Sequence, residues 1–396
     1  MTKILTINGG STSLKFALFD SDISESRLVS GEVSAIGEPM SHLTIEASGL
    51  DSTDTKVSCA DHGQAVSIVL GWLGDHGRYG RPDGVGHRVV HGGPDYSEPT
   101  LITDEVLQRL ESIVGLAPDH LPVELAAIRA IRLDYGDVPQ VAVFDTGFHR
   151  TISTESKNMP LPEVLASPEV RRYGFHGISC EYIIGELHHH EGVDPSGRVI
   201  IAHLGGGASI TAVHGGKSVD TTMGMTPLGG LMMATRPGDF DPGVLIYLLR
   251  HSGITVDRLD ELLNHRSGLL GMSGVSADMK TLLDRSPSDA RASMAVSSFV
   301  FHAKKHLAAV ASTLGGADVL VFTGGIGENS AELRQRICAG LDFMGVELDD
   351  DANRDGGPVI SAPDAKVTVL VLRTDEERMI ARHTRLHLGA EPVQAL

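Results

Sequence analysis

Short apolar blocks end on clustered glycines at three places along the chain. In KILTINGGSTSLKFALFD (residues 3–20) an apolar run enters Asn8-Gly9-Gly10-Ser11-Thr12-Ser13 and leaves as an alternating segment with Leu14, Phe16 and Leu18 facing one way. Period-two alternation predicts a half-buried strand, and two such runs around a glycine turn predict a hairpin. VIIAHLGGGASITAVHGG (residues 199–216) repeats the pattern, so the chain predicts a second hairpin of the same kind. Recurrence after about 195 residues points to duplication of one α/β unit rather than to a solenoid, whose periods run about 20 to 50 residues. The third cluster, VLVFTGGIGENSAELRQRICAGL (residues 319–341), differs: a buried strand meets Gly324, Gly325 and Gly327, then a helix with Asn329 or Ser330 as N-cap and Leu333, Ile337 and Leu341 at helical spacing. A helix N-terminus so placed can face an anion or a nucleotide.

Other segments read as helices. TDEVLQRLESIVGL opens on Thr103 as a cap and sets Val106, Leu107, Leu110, Ile113 and Val114 on one face; VSSFVFHAKKHLAAVAST is a longer amphipathic stretch; EERMIARHTRLHLGAEP closes the chain with Met379, Ile380 and Leu386 apolar. Strand pairs alternating with helices predict α/β layers, here in two related domains. The length of 396 residues agrees with two domains at about 150 residues each.

Charge narrows the partners. The net charge of −18 argues against nucleic acid or an anionic membrane, both of which need surplus Lys and Arg. A small anionic substrate then needs a local basic site. Cys59, Cys180 and Cys338 lie far apart without a Cys-x-x-Cys, which supports neither a disulfide framework nor a thiolate zinc site and suits a reducing cytoplasm. The apolar run after Met1 is too short for a signal peptide core, and no window reaches the roughly eighteen apolar residues of a membrane helix.

None of the glycine clusters has the P-loop spacing, and Gly205-Gly206-Gly207 opens no helix, as a dinucleotide fingerprint must. Arg88 sits in an apolar strand, GVGHRVVHGG, either paired to a carboxylate or holding an anion; the cost of burying it among Val85, Val89 and Val90 favours the anion. Arg236, fixed before Pro237 in MMATRPGDFDPG, repeats the theme, and two glycine-framed arginines suggest phosphate twice. Asp145 and Glu376 follow apolar strands, where carboxylates near phosphate commonly hold magnesium. His176 stands in RYGFHG, open between a buried structural histidine and a functional one; the run His188-His189-His190 reads as an exposed helix end without a role.

Taken in order, NGGSTSLK, GHRVVHGG, VFDTGFH, YGFHG, HLGGGAS, DTTMGMTPLGGLMMATRPGD, FTGGIGEN and TDEERMIA resemble the acetate kinase family, with its propionate and butyrate kinase relatives, over nearly the whole chain. The resemblance implies the duplicated ribonuclease-H-like fold of the sugar kinase, Hsp70 and actin superfamily. It implies domains at 1–147 and 148–379, ATP in the cleft between them, and a C-terminal helix at about 380–396 packing back on the first. It implies reversible phosphoryl transfer from ATP to acetate, giving acetyl phosphate and ADP, with Mg²⁺, or Mn²⁺ in its place, in a cytoplasmic homodimer. By motif, Ser11, Ser13 and Lys15 take the first phosphate hairpin with Asn8, which with Glu376 serves the metal. His203, Leu204, Gly205, Gly206 and Gly207 form the second phosphate hairpin. Asp278, Met279, Lys280, Gly325, Ile326, Gly327 and Asn329 fall where the family holds adenosine. Arg88, Arg236, His176 and Asp145 match its catalytic residues, and Val90, Phe175 and Pro227 its small apolar acetate pocket.

Three departures matter. Asp119 and Leu121 flank His120 where the family usually reads Leu and Asn, and that leucine lines the substrate pocket. An aspartate there repels a carboxylate unless it turns away, is protonated, or reads a polar group on the substrate. Gly206 replaces an asparagine common in the second phosphate loop. Lys280 stands for an arginine near the ribose and Gly229 for an acid, which leaves the phosphoryl donor open to another nucleotide or pyrophosphate. Propionate or butyrate kinase is the nearest alternative activity, and a non-transferring ATPase of the same fold the alternative class.

Overall fold

The computed structural model describes residues 2–20, 25–77 and 79–389. It divides into two compact units, Met1–Gly147 with Asp375–Leu396, and Phe148–Thr374. Residues 375–379, assigned to the second domain by sequence, thus fall in the first unit, and the predicted helical segment beyond residue 389 lies outside the described residues.

The first unit is built on a sheet of β1 (Lys3–Gly9), β2 (Ser13–Asp20), β3 (Ser26–Ser34), β4 (Ser41–Ala47), β5 (Thr53–Val57), β6 (Gly84–Val89), β7 (Thr100–Leu101) and β8 (Gln140–Phe144). Their spatial order is β5-β4-β3-β2-β1-β6-β8-β7. β1 runs antiparallel to β2 with Asn8 opposite Lys15, and parallel to β6, which is parallel to β8. The first predicted hairpin is therefore present. Its second strand is not half-buried as the alternation suggested: Phe16, Ala17, Leu18 and Phe19 are all buried. Phe16 and Leu18 share a core with Val66 and Val69 of the helix His62–Asp75 and with Ala127 and Ile131 of the helix Leu121–Tyr135. Ile4, Ala17 and Phe19 meet Ala381 of the C-terminal helix Glu376–His387 on the other face. That helix lies directly on β6: a Cβ at Gly86 would overlap Thr384 Oγ1 and Ile380 Cγ2, so glycine lets the two backbones approach. Met379 and Ile380 are buried as expected, whereas Leu386 is 41% exposed and Thr384 takes the inward position.

In the second unit β9 (Arg198–Leu204), β10 (Ala208–His214), β11 (Lys217–Thr221), β12 (Val319–Thr323) and β13 (Thr368–Val371) stand in the order β11-β10-β9-β12-β13. β9, β10 and β11 are antiparallel, while β9 is parallel to β12 and β12 to β13. This repeats β3-β2-β1-β6-β8 strand for strand and direction for direction, which is the ribonuclease-H-like plan used twice. The long helix Ala290–Leu314 starts on an Asp289 cap and stops at Gly315, whose φ of +69° ends it. After β12 the chain makes two helices rather than the predicted one, Gly324–Asn329 and Ala331–Cys338; Ser330 caps the second, accepting from Leu333 N–H at 3.4 Å, and Leu341 lies beyond its end. Among the described residues no helix is long and apolar enough to cross a membrane.

Candidate active site

In the first unit the turn between β1 and β2 is tied at both sides. Gly10 N–H donates to Ser13 O at 2.8 Å, and His62 Nε2 lies 2.7 Å from Gly10 O. A carbonyl can only accept, so His62 carries a proton on Nε2. Ser11 and Lys15 are exposed on the hairpin, with Ser13 and Asn8 half-buried. Asn8 Nδ2 donates to Glu376 Oε2 and Glu377 Oε1, each at 3.2 Å, bringing the two residues expected at the metal together.

Arg88 and Asp145 meet because β6 and β8 run parallel with Arg88 beside Val143, and Asp145 N–H continues the ladder to Val89 O at 3.0 Å. Arg88 Nη2 is 2.5 Å from Asp145 Oδ2, and Arg88 Nε is 3.9 Å from Glu376 Oε2. Of the two sequence alternatives for Arg88, the carboxylate pairing is the one present; its Nε is buried without a hydrogen bond, as are Asp145 Oδ1 and Thr146 Oγ1. Burial opposes the Arg88 charge, but Asp145 and Glu376 outweigh it and raise its pKa.

Glu124 completes this cluster and was not expected from the motifs. It is 3% exposed, and its carboxylate accepts from Val90 N–H at 3.1 and 3.2 Å. Burial pushes its pKa up to about 8 against the pull of Arg88. Burial also raises Glu376, with Arg88 opposing and Asp145 and Glu377 adding to the rise. The sequence held a signal: Glu124 sits among Leu121, Leu125 and Ile128 on the buried face of its helix, where an acid is rare unless paired. The buried carboxylates outnumber the one guanidinium, an imbalance relieved by protons or by a cation. Oxygen donors and the orphaned Asp145 Oδ1 fit a hard divalent ion, which takes one or two carboxylates and fills its shell with phosphate and water oxygens.

In the second unit Gly205 N–H closes the β9–β10 turn on Gly207 O at 3.0 Å, and Ala234 N–H donates to Gly206 O at 3.1 Å. Two cationic or polar tips converge here: a Cβ on Gly207 would lie 3.0 Å from Arg236 Nη2 and 3.1 Å from His176 Nε2. Arg236 is anchored by Nη1 donating to Pro227 O at 2.7 Å. His176 precedes the helix Gly177–Leu187 with φ +58°, a left-handed conformation uncommon outside glycine and often found at functional positions. Its Nδ1 lies 2.9 Å from Ser209 Oγ, and its ring stacks on His203 with centroids 4.2 Å apart.

The remaining expected residues take varied places. Gly324 (φ +77°) starts the helix Gly324–Asn329, and Asn329 Nδ2 turns back to Gly325 O at 2.9 Å. Gly325 has open space around it, Gly327 is packed against β9 and β12, Leu204 is buried and Ile326 is half-buried. Asp278 spends its carboxylate capping the helix Met279–Arg285, accepting from Thr281 N–H at 2.8 Å; Met279 is 4% exposed and Lys280 is on the surface. Val90 and Phe175 are each 2% exposed, while Asp119 and Pro227 are half-buried. The motifs did not reveal Arg334, 2% exposed, which donates Nη1 to Gly327 O at 2.8 Å and Glu328 O at 2.9 Å and so braces the glycine helix.

A family model described as the Acetokinase family matches residues 3–382. A protein named acetate kinase from Rhodopseudomonas palustris is 42% identical over 387 residues, covering 96% of this chain and 97% of its own. One named propionate kinase from Citrobacter rodentium is also 42% identical, over 99% of both chains. The crystal structure of Porphyromonas gingivalis acetate kinase superposes with a TM-score of 0.87 at 40% identity, covering 98% of this chain and 100% of that one.

Proposed function

The chain belongs to the acetokinase family, and from that premise we propose that it is an ATP:acetate phosphotransferase, interconverting acetate and ATP with acetyl phosphate and ADP. The observation that carries the reading furthest is the convergence of Arg236 and His176 on Gly207, which presents positive and hydrogen-bonding groups at a glycine turn whose backbone a phosphoryl group can approach. A carboxylic acid with a pKa of roughly 4 to 5 is already ionised at neutral pH, so its oxygen attacks the γ-phosphoryl without a general base. Two anions must meet, and the work is neutralisation and alignment. Arg88 takes the acceptor carboxylate; Arg236 and His176 stabilise the phosphoryl oxygens; the hairpins with Lys15 and Gly205–Gly207 hold the nucleotide phosphates. Asn8 and Glu376 would hold Mg²⁺, with Asp145 orienting its waters, and the ion when bound supplies further neutralisation of the phosphates.

Equal identity to a named propionate kinase makes propionate the second acceptor to examine. A homodimer is supported by the helix Gly243–His251, GVLIYLLRH, which buries none of its residues. Incubation with Mg-ATP and acetate, propionate, butyrate or a hydroxy acid, with hydroxylamine trapping of the acyl phosphate, tests the activity. Highest kcat/KM on acetate is expected; absence of hydroxamate with every acid, despite nucleotide binding, would favour the non-transferring ATPase.

A further inference from the structure

Ser179 is fully buried in the first turn of the helix Gly177–Leu187, three positions after His176. A hydroxyl in such a place needs partners, and it has two. Its Oγ lies 2.9 Å from His203 Nδ1 and donates to Thr374 Oγ1 at 2.8 Å. Thr374 is anchored through its own N–H, which donates at 3.4 Å to Glu328 Oε1, the oxygen that also accepts from Gly324 N–H at 2.9 Å. A hydroxyl has one proton to give. Since Ser179 gives it to Thr374, its oxygen accepts from His203, and the His203 proton is held on Nδ1.

This relay reaches the proposed transfer site through a ring contact. The His203 and His176 imidazoles stack at 4.2 Å with planes 16° apart, so each ring packs against the face of the other and a tilt of one crowds its neighbour. His176 is in turn the ring whose Nε2 stands beside Gly207. We propose that Ser179 and Thr374 are positioning residues for phosphoryl transfer: their hydroxyl relay holds His203 in one tautomer and one plane, and through the stack holds His176 against the glycine turn. The proposal rests on the reading of His176 as a phosphoryl-stabilising group and requires neither hydroxyl to touch substrate.

The test compares Ser179→Ala, Thr374→Val, the double variant, and Thr374→Ser, which keeps the hydroxyl. Loss of an outer partner that orients an imidazole costs roughly ten- to a hundredfold, so kcat should fall by that order in the first two variants while KM for the carboxylate stays near wild type. Thr374→Ser should recover most of the turnover. Because both residues act through one relay, the double variant should be no slower than the poorer single one. Long-range ¹H–¹⁵N spectra of the resting wild-type protein should show His203 protonated at Nδ1, and Ser179→Ala should release that preference. Unchanged kcat in both single variants, losses that multiply in the double, or a wild-type His203 protonated only at Nε2 would each overturn the proposal. A wild-type protein that phosphorylates no carboxylate overturns the functional reading instead, and the imidazole spectrum still decides whether the relay exists.

Discussion

His87 places its imidazole wholly inside the first unit, 1% exposed, with Nε2 2.7 Å from Gln140 Oε1 and Nδ1 buried without a partner. Burial pushes its pKa down to about 4. The unfolded chain therefore takes up a proton near pH 6.5 that the folded chain refuses until about pH 4, and stability falls as pH drops through that window. The gap corresponds to roughly 3 kcal/mol at its full extent. Thermal midpoints measured from pH 7.5 to 4 should fall less steeply in His87→Leu than in wild type, whatever the offset at pH 7.5. Parallel slopes would show that His87 titrates normally in the fold. The motifs singled out neither residue: the helix pattern puts Glu124 on an inward face and the strand pattern leaves His87 among apolar neighbours, but neither pattern fixes how fully that face is sealed. The glycines show the same limit. Sequence marks Gly205, Gly206 and Gly207 alike, yet a Cβ would meet nothing at Gly206 and would crowd Arg236 and His176 at Gly207. Those two side chains arrive from residues 31 before and 29 after Gly207 in the chain, a separation no local pattern encodes.

Elements were more legible than their surroundings. Both hairpins, the Thr103 cap and the long helix ending at Gly315 follow from local signals of alternation, capping and left-handed glycine. The second face of β2 was not legible, since the helix that covers it lies more than 350 residues away in the chain. The opposite case is the helix Gly243–His251. Six of its nine residues are apolar, yet Val244, Ile246, Tyr247 and Leu249 are 42%, 53%, 63% and 40% exposed. An exposed apolar run of this kind is what the proposed homodimer would cover, with a second copy of the chain as its occupant. Sedimentation should find the wild-type protein as a dimer and Ile246→Glu/Tyr247→Lys as a monomer with unchanged circular dichroism. A wild-type monomer, or a double variant that still dimerises, would remove the assignment.

At the scale of the whole molecule the duplication was legible because each unit repeats a strand–glycine–strand opening, and the topology extends that repeat to five strands in the same order and direction. The two copies differ in how the chain completes them. The second unit is one continuous stretch, Phe148–Thr374, whereas the first needs Asp375 onward to cover a sheet face. Without the C-terminal helix, Ile4, Ala17 and Phe19 lose their cover and the backbone of Gly86 loses the helix seated on it. Re-exposing a large apolar side chain costs about 1.5–3 kcal/mol, and a domain holds only about 5–15 kcal/mol in all, so two such losses consume much of the margin. A fragment of residues 148–374 should therefore melt cooperatively by itself, and a fragment of residues 1–147 should not. Appending residues 375–389 to the latter through a flexible linker should restore a cooperative transition, because the helix contributes packing rather than chain continuity. If residues 1–147 already melt cooperatively alone, the helix is dispensable to the first unit. Its position on β6 would then have to be explained by its delivery of Glu376 to Asn8 and Arg88.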